Sequence, residues 1–283
     1  MANEQTNPYG ESTTGHLWDD NLCELTNPPP KWWMICFHAS WMFVVLYGLI
    51  YPMWPLGASA TKGFTGWTSI GEYKASLAEV EGMRAKYEDK LAGMSAQQML
   101  DDPEIRDYIV KGAGKVLFGD NCAACHGKNG QGNPGFPSLL DDDWLYGGNL
   151  ATIQQTITMG RRGNMPAMGG MQLSEGEIDK LATAIAASNP TSEPLFMEKG
   201  CIACHGMDGK GMAALGSANL TDAVFRFTDA DQLASVKYTI THGVNDARDP
   251  LTRQAHMPTF GGKMSETDIK KLAVYVWSFG GGQ

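Results

Sequence analysis

The chain has 283 residues, with 22 basic residues against 31 acidic ones and a formal net charge of −9. That length allows about two compact units plus connecting segments. The acid excess excludes a nucleic-acid partner, because a polyphosphate would be repelled. Hydrophobic residues at 43% and charged ones at 19% fit a soluble body with one local membrane-seeking stretch rather than a multi-span protein.

Residues 1–30 form a polar, acidic leader, and residues 31–56 hold the apolar stretch. From Trp32 to Tyr51 the sequence reads WWMICFHASWMFVVLYGLIY with no formal charge, long enough for a helix to cross a bilayer. Trp32, Trp33 and Trp54 suit interfacial belts, and prolines punctuate both ends. His38 is the single ionisable group inside, assigned to a partner helix or the headgroups. Cys36 lies within the run and Cys23 within the leader, both as free thiols without a role. The small-residue string ASA at 58–60 resembles a signal-peptidase site, but an acidic leader and so long an apolar run argue for an anchor. Lys31 before the span against Lys62 and Lys74 after it leaves orientation undecided by charge.

Residues 57–107 read as a helical connector. Tyr73, Leu77, Val80, Tyr87, Leu91 and Met94 share one helical stripe, a packing face among mixed charges. Ser95-Ala-Gln-Gln98 has a capping-box pattern, and Pro103 opens a helix running toward Cys122.

The rest of the chain is written twice. CAACHG at 122–127 recurs as CIACHG at 201–206, and LSEGEIDKLATAIAA at 173–187 recurs as MSETDIKKLAVYVWS at 264–278. Each repeat reads helix, cysteine motif, Gly-rich loop, middle helix, Met-Pro turn and closing helix. Twelve extra residues in the second fall in the loop THGVNDARDPLTRQAH. SNPTSEP at 188–194 links the repeats, which predicts two tandem domains at 108–190 and 191–283 in an all-α protein, after one transmembrane helix.

Two cysteines separated by two residues and followed at once by histidine form the attachment signature of a c-type haem. The thiols must reach two vinyl groups on one porphyrin edge while the imidazole reaches the iron, and a helical turn does both. Cys122, Cys125, Cys201 and Cys204 are therefore the covalent attachment points of two haem c groups, with His126 and His205 as axial ligands, and the two all-α repeats are expected to be tandem class-I-like cytochrome c domains. A zinc ribbon would need no histidine directly after each pair, a thioredoxin-like site lacks its βαβ surroundings, and a disulfide across two residues would be strained.

Each repeat also carries one Met-Pro, Met165-Pro166 and Met257-Pro258. Proline keeps the residue before it extended, which suits presenting a thioether. Met165 and Met257 are the predicted second axial ligands, with Met168, His242 and His256 as competitors. Which methionine serves which iron, its own repeat's or the other's, stays open. His/Met ligation raises the potential and fills both faces of the iron. Arg161, Arg162, Arg248 and Arg253 could pair with propionates or be solvated loop charges. A proline carbonyl after His126 could fix the imidazole, whereas Ala218 stands at that place in the second repeat.

With one span, TGHLWDDNLCELTNPPPKWW leading into it, YPMWP at its exit, DDDWLYGG at 141–148 and both cysteine motifs in order, the sequence resembles the CcoP (FixP) family, the dihaem subunit III of cbb(3)-type cytochrome c oxidase. The resemblance covers nearly the whole chain, and the single span differs from members with two. It implies a bacterial inner-membrane oxidase in which this subunit takes electrons from a soluble donor cytochrome c. It would pass them to a mono-haem cytochrome subunit and thence to the haem–copper subunit that reduces O₂. It also implies a cytoplasmic leader and periplasmic haem domains, with no catalytic residue in this chain. Two other readings stay open: an anchored dihaem shuttle resembling cytochrome c(4) for another respiratory complex, and a dihaem peroxidase, which needs one exchangeable iron position. A haem-based sensor would need a signalling domain, and no segment is left for one.

Overall fold

A computed structural model describes residues 12–18, 22–227 and 231–282. Of the leader, residues 1–11 and 19–21 lie outside the described residues. The chain divides into two units between Met83 and Arg84.

In the first unit, strands β1 (Thr13–Trp18) and β2 (Leu22–Leu25) pair antiparallel, Trp18 opposite Leu22 and Thr13 opposite Leu25. Helix α1 (Lys31–Ile50) starts after Pro30 and ends before Pro52, as the flanking prolines require. It is long and apolar enough to cross a membrane, and its large side chains face outward. A second small hairpin follows, β3 (Pro55–Leu56) with β4 (Ser59–Ala60). Beyond it the chain doubles back on the end of α1: Phe64 N–H donates to the Leu49 carbonyl at 3.0 Å and Thr65 Oγ1–H to the Ile50 carbonyl at 2.9 Å. Those carbonyls have no partner within the helix, so this return satisfies them. The two hairpins qualify the expected all-α class.

Helix α2 (Ser69–Leu91) realises the connector stripe unevenly. Tyr73 and Leu77 are exposed, whereas Leu91 is fully buried in the core of the second unit with Tyr87 and Met94 packed beside it. Ser95 and Gln98 form the expected capping box at the start of α3 (Ala96–Asp101). Asp102 caps α4 (Pro103–Tyr108), accepting from Glu104 N–H at 2.9 Å and Ile105 N–H at 3.2 Å. A π-turn at Ile109–Ala113 joins α4 to α5 (Gly114–Asn121), and α6 (Ala123–His126) carries the first motif. Then come α7 (Leu150–Met159), α8 (Glu175–Ala186), α9 (Leu195–Glu198), α10 (Ile202–His205), α11 (Gln232–His242) and α12 (Glu266–Trp277).

Packing runs across the repeats. One core joins Ile105, Ile109 and Phe118 to Ile153 and Ile157 of α7, and to Ile269, Leu272, Val274 and Val276 of α12. The other joins Ile178, Leu181 and Ile185 of α8 to Phe196 of α9 and to Val236 and Ile240 of α11. The closing helix of the second repeat thus lies on the opening and middle helices of the first, while the closing helix of the first lies on the middle helix of the second. Gly114 permits the crossing of α5 with α12, since a methyl there would stand 2.8 Å from Tyr275 Cβ. The expected boundaries, 108–190 and 191–283, therefore mark repeats of the sequence, and both cores draw on both repeats.

The exchange happens at two matched crossings. Arg161, just past α7, exchanges both backbone hydrogen bonds with Met257 at 3.0 and 2.9 Å. Val244, just past α11, does the same with Met165 at 2.8 and 2.9 Å. The preceding residues, Gly160 (φ 71°) and Gly243 (φ 67°), end their helices in a left-handed turn. A methyl at either would sit 2.4 Å from the Met257 carbonyl oxygen or 2.2 Å from that of Met165, so only glycine fits.

Candidate functional site

The two cysteine motifs fold alike, down to single hydrogen bonds. In each, the histidine N–H donates to the carbonyl of the first cysteine, His126 to Cys122 at 2.9 Å and His205 to Cys201 at 3.0 Å. One turn therefore sets both thiols and the imidazole, and a left-handed glycine ends it, Gly127 at φ 78° and Gly206 at φ 81°. The loops then curl back: Gly132 N–H donates to the His126 carbonyl at 2.7 Å, and Gly211 N–H to the His205 carbonyl at 2.8 Å. Asn133 Nδ2–H caps the Cys125 carbonyl at 2.8 Å, and Ser217 Oγ–H caps that of Cys204 at 2.5 Å.

Those loops deliver one carbonyl to each imidazole. His126 Nδ1 is 3.0 Å from the Pro137 carbonyl oxygen, and His205 Nδ1 is 2.9 Å from that of Ala218. A carbonyl only accepts, so Nδ1 carries the proton and Nε2 keeps its lone pair for a metal. The sequence left Ala218 in doubt for want of a proline, but a backbone carbonyl needs none. Burial pushes both histidines below their ordinary pKa, against the opposing pull of the accepting carbonyls. Burial likewise raises the Cys122 thiol to about 11, with Cys125 adding to the shift, and raises Cys201. Neutral imidazoles with Nε2 free, beside Cys122 and Cys201 thiols that burial disfavours as thiolates, suit thioether attachment of a haem better than a thiolate metal cage. Among the described residues, no group of three or more His, Cys, Asp or Glu side chains gathers as another metal centre.

Of the candidate methionines, Met257 and Met168 pack on different cores. Met257 packs on the core that holds Cys122 and Phe118. Met165 lies in the loop bridged to Val244, and Met168, at φ 54°, packs on the core that holds Cys201 and Ile202. His242 is engaged with Asp249 Oδ2 at 2.9 Å, and His256 is exposed. Three of the arginines already have partners. Arg248 is bidentate with Asp246, both contacts at 3.0 Å, and Arg253 lies over the Phe227 and Tyr238 rings at 4.8 and 4.9 Å. Arg161 donates to Thr156 Oγ1 at 2.9 Å and lies 4.4 Å from the Tyr146 ring centre. Cys23 and Cys36 form no disulfide. Sequence reasoning missed Asn245 and Asp246, both buried in the loop holding the extra residues. Their only signal was that this loop exists in one repeat and not in the other.

A pair of Cys-x-x-Cys-His turns, each with its imidazole oriented by a backbone carbonyl, defines a dihaem c-type cytochrome with an N-terminal apolar helix. Comparison with known proteins narrows this. Residues 10–58 match the N-terminal domain of cytochrome oxidase-cbb3, FixP; residues 111–183 match cytochrome c oxidase, cbb3-type, subunit III; and residues 193–280 match cytochrome c. The chain is 40% identical to the cbb3-type cytochrome c oxidase subunit FixP of Azorhizobium caulinodans, over 97% of this chain and 94% of that one. It is 38% identical to FixP of Bradyrhizobium diazoefficiens over 97% and 96%, and 36% identical to CcoP of Rubrivivax gelatinosus over 95% and 84%. The chain belongs to the FixP/CcoP family of cbb3-type cytochrome c oxidase subunits. It carries two covalently bound haem c groups and serves electron transfer as a subunit of an oxidoreductase complex.

Proposed function

We propose that the chain is a pure electron relay, without turnover of its own. In this reading it is anchored by α1 with its leader in the cytoplasm and its haem bodies in the periplasm. It takes electrons from a soluble donor cytochrome c and hands them to a mono-haem cytochrome subunit, which feeds the haem–copper subunit that reduces O₂. Orientation follows from chemistry: haem c is attached outside the bacterial cytoplasm, so everything after α1 belongs there. Two attachment sites in one body suit a relay, since tunnelling falls exponentially with distance and two irons in series span what one jump would not.

The haems are supplied with redox chemistry by iron, and the protein's part is to hold the ligands. Cys122 with Cys125, and Cys201 with Cys204, form the thioethers, and His126 and His205 give Nε2. Met257 closes the site of His126 and Met165 closes that of His205, each sulfur coming from the other repeat. The observation carrying this pairing is the packing of Met257 on the core that contains Cys122, together with the matched crossings at Arg161 and Val244. Met165 is preferred over Met168 because its backbone bridge duplicates that of Met257. Such a His and Met ligand set would leave a haem iron no open position for a substrate, which argues against a peroxidase.

The test is a redox titration and carbon monoxide titration of the purified assembly. Two titrating haem c groups per chain, neither binding carbon monoxide, are expected. Peroxide turnover by the isolated subunit would overturn the relay reading.

A further inference from the structure

Asn245 and Asp246 lie between α11 and Met257, in the loop that the first repeat lacks, and are only 5% and 4% exposed. Asn245 sits at φ 54°, a left-handed conformation that asparagine enters more readily than most residues. Its Nδ2 donates to the Gly163 carbonyl at 2.6 Å and to the Ala255 carbonyl at 2.8 Å, while its Oδ1 accepts from Ala255 N–H at 3.0 Å. Its own carbonyl accepts from Asn164 Nδ2 at 2.8 Å, and its N–H donates to the Arg253 carbonyl at 2.8 Å. The amide has one workable orientation, since turning it over would face oxygen to two carbonyls and NH₂ to an N–H.

Gly163 stands two residues before Met165, and Ala255 stands two residues before Met257. One buried amide therefore holds both Met-Pro loops. Asp246 reaches only one of the two Met-Pro turns directly: its Oδ2 accepts from Ala167 N–H, two residues after Met165, at 2.9 Å, while its other carboxylate bonds go to Arg248, nine residues before Met257.

We propose that Asn245 is a positioning residue for both haem irons at once, and that Asp246 is one for the Met165 loop only. A thioether on an unbranched side chain is a weak, adaptable ligand, so the backbone must be fixed for sulfur to stay on iron. Losing the pin takes these partners from two carbonyls and one N–H on the half-buried Gly163 and Ala255, which favours opening of both loops together. The two ligand sets are thereby coupled through a single side chain. This rests on the reading that Met165 and Met257 are the axial sulfurs.

The experiment uses the full chain carrying both haems. Asn245→Asp keeps size and left-handed tolerance but loses both donors, and Asn245→Gly removes the side chain where the backbone accepts glycine without strain. Asp246→Asn is the one-loop comparison. The readouts are the sulfur-to-iron charge-transfer band of the oxidised haems, the two midpoint potentials, and covalent haem per chain. Both Asn245 variants should raise the sulfur-free fraction at each haem by about tenfold or more and lower both potentials. Asp246→Asn should move one haem only. Unchanged bands and potentials in the Asn245 variants, or a change confined to one haem, would overturn the proposal. So would failure of both Asn245 variants to load two haems while Asp246→Asn loads fully, because Asn245 would then serve folding rather than ligand placement. Met165→Ala and Met257→Ala, run alongside, separate the two ideas. If neither removes a charge-transfer band, the axial reading falls. If each removes one band while Asn245 changes do nothing, only the pin falls.

Discussion

Arg161 and Met257 exchange both backbone hydrogen bonds although they belong to different repeats. This places the second repeat's Met-Pro turn at the end of the first repeat's middle helix. It predicts which haem each methionine serves. In a protein carrying Cys201→Ala and Cys204→Ala, only the haem on Cys122 and Cys125 remains. There, Met257→Ala should abolish the charge-transfer band, lower the potential and admit carbon monoxide, whereas Met165→Ala should leave the band in place. The opposite pattern would assign each sulfur to its own repeat.

The crossed cores predict that neither repeat folds alone. A chain covering residues 84–190 loses Ile269, Leu272, Val274 and Val276, all fully or nearly fully buried. At about 1.5–3 kcal/mol for each such side chain, roughly 6–12 kcal/mol of burial disappears, as large as the whole stability of an ordinary domain. Its thermal unfolding, followed by circular dichroism, should lack a cooperative transition, and adding residues 191–283 should restore one. A sharp two-state melt by the fragment alone would contradict the crossed packing.

Much of this was legible in the residues themselves. The matching helical turns at both cysteine motifs follow from the Cys-x-x-Cys-His repeats, and the capping boxes at Ser95 and Ser174 form as their Ser-x-x-Gln and Ser-x-x-Glu patterns demand. The crossing was not legible, because α8 and α12 have near-identical apolar faces and periodicity says what a face buries but not which partner it meets. The Ala218 contact escaped because a backbone carbonyl leaves no mark on residue type. Asn245 escaped because a polar residue in a long loop reads as solvated until its neighbours are known.

The glycines at the crossings should be intolerant in parallel. Alanine at Gly160 or Gly243 combines a left-handed backbone with a methyl 2.4 or 2.2 Å from a methionine carbonyl oxygen. Each change should cost about 2–4 kcal/mol in chemical denaturation and displace one methionine, Met257 for Gly160→Ala and Met165 for Gly243→Ala. Equal spectra for the two variants would argue against separate crossings.

Lys271 of α12 is the buried cation of the first core, 5% exposed. Its Nζ donates to Glu88 Oε2 at 2.9 Å and to Asp268 Oδ1 at 2.7 Å, and Glu88 also accepts from Tyr108 O–H at 2.8 Å. The connector helix is thereby clamped to the closing helix of the second repeat. Lys271→Met leaves two carboxylates unpaired and should cost about 3 kcal/mol. In a double-mutant cycle with Glu88→Gln, a coupling of about 1–3 kcal/mol is expected. A coupling near zero would mean that the clamp does not hold the connector.

Glu177 gives the second body a defined acid sensitivity. It bonds Lys199 of the α9 segment at 2.7 Å and closes the capping box of α8 through Ser174 N–H at 2.8 Å. The hydrogen bond from Lys199, followed by those from Ser174, lowers its carboxyl from an ordinary 4.5 to about 2. A carboxyl held lower in the folded chain than in the unfolded one binds protons more weakly when folded. Its stabilisation is therefore complete above the unfolded value and drains away as pH falls toward about 2. Glu177→Gln keeps an N3 side chain able to complete the box but loses the charge. The melting temperature of the parent should exceed that of the variant at neutral pH, with the gap narrowing from about pH 4.5 downward and closing near pH 2. A gap independent of pH across that window would show that the Lys199 ion pair contributes nothing to holding α8 against α9.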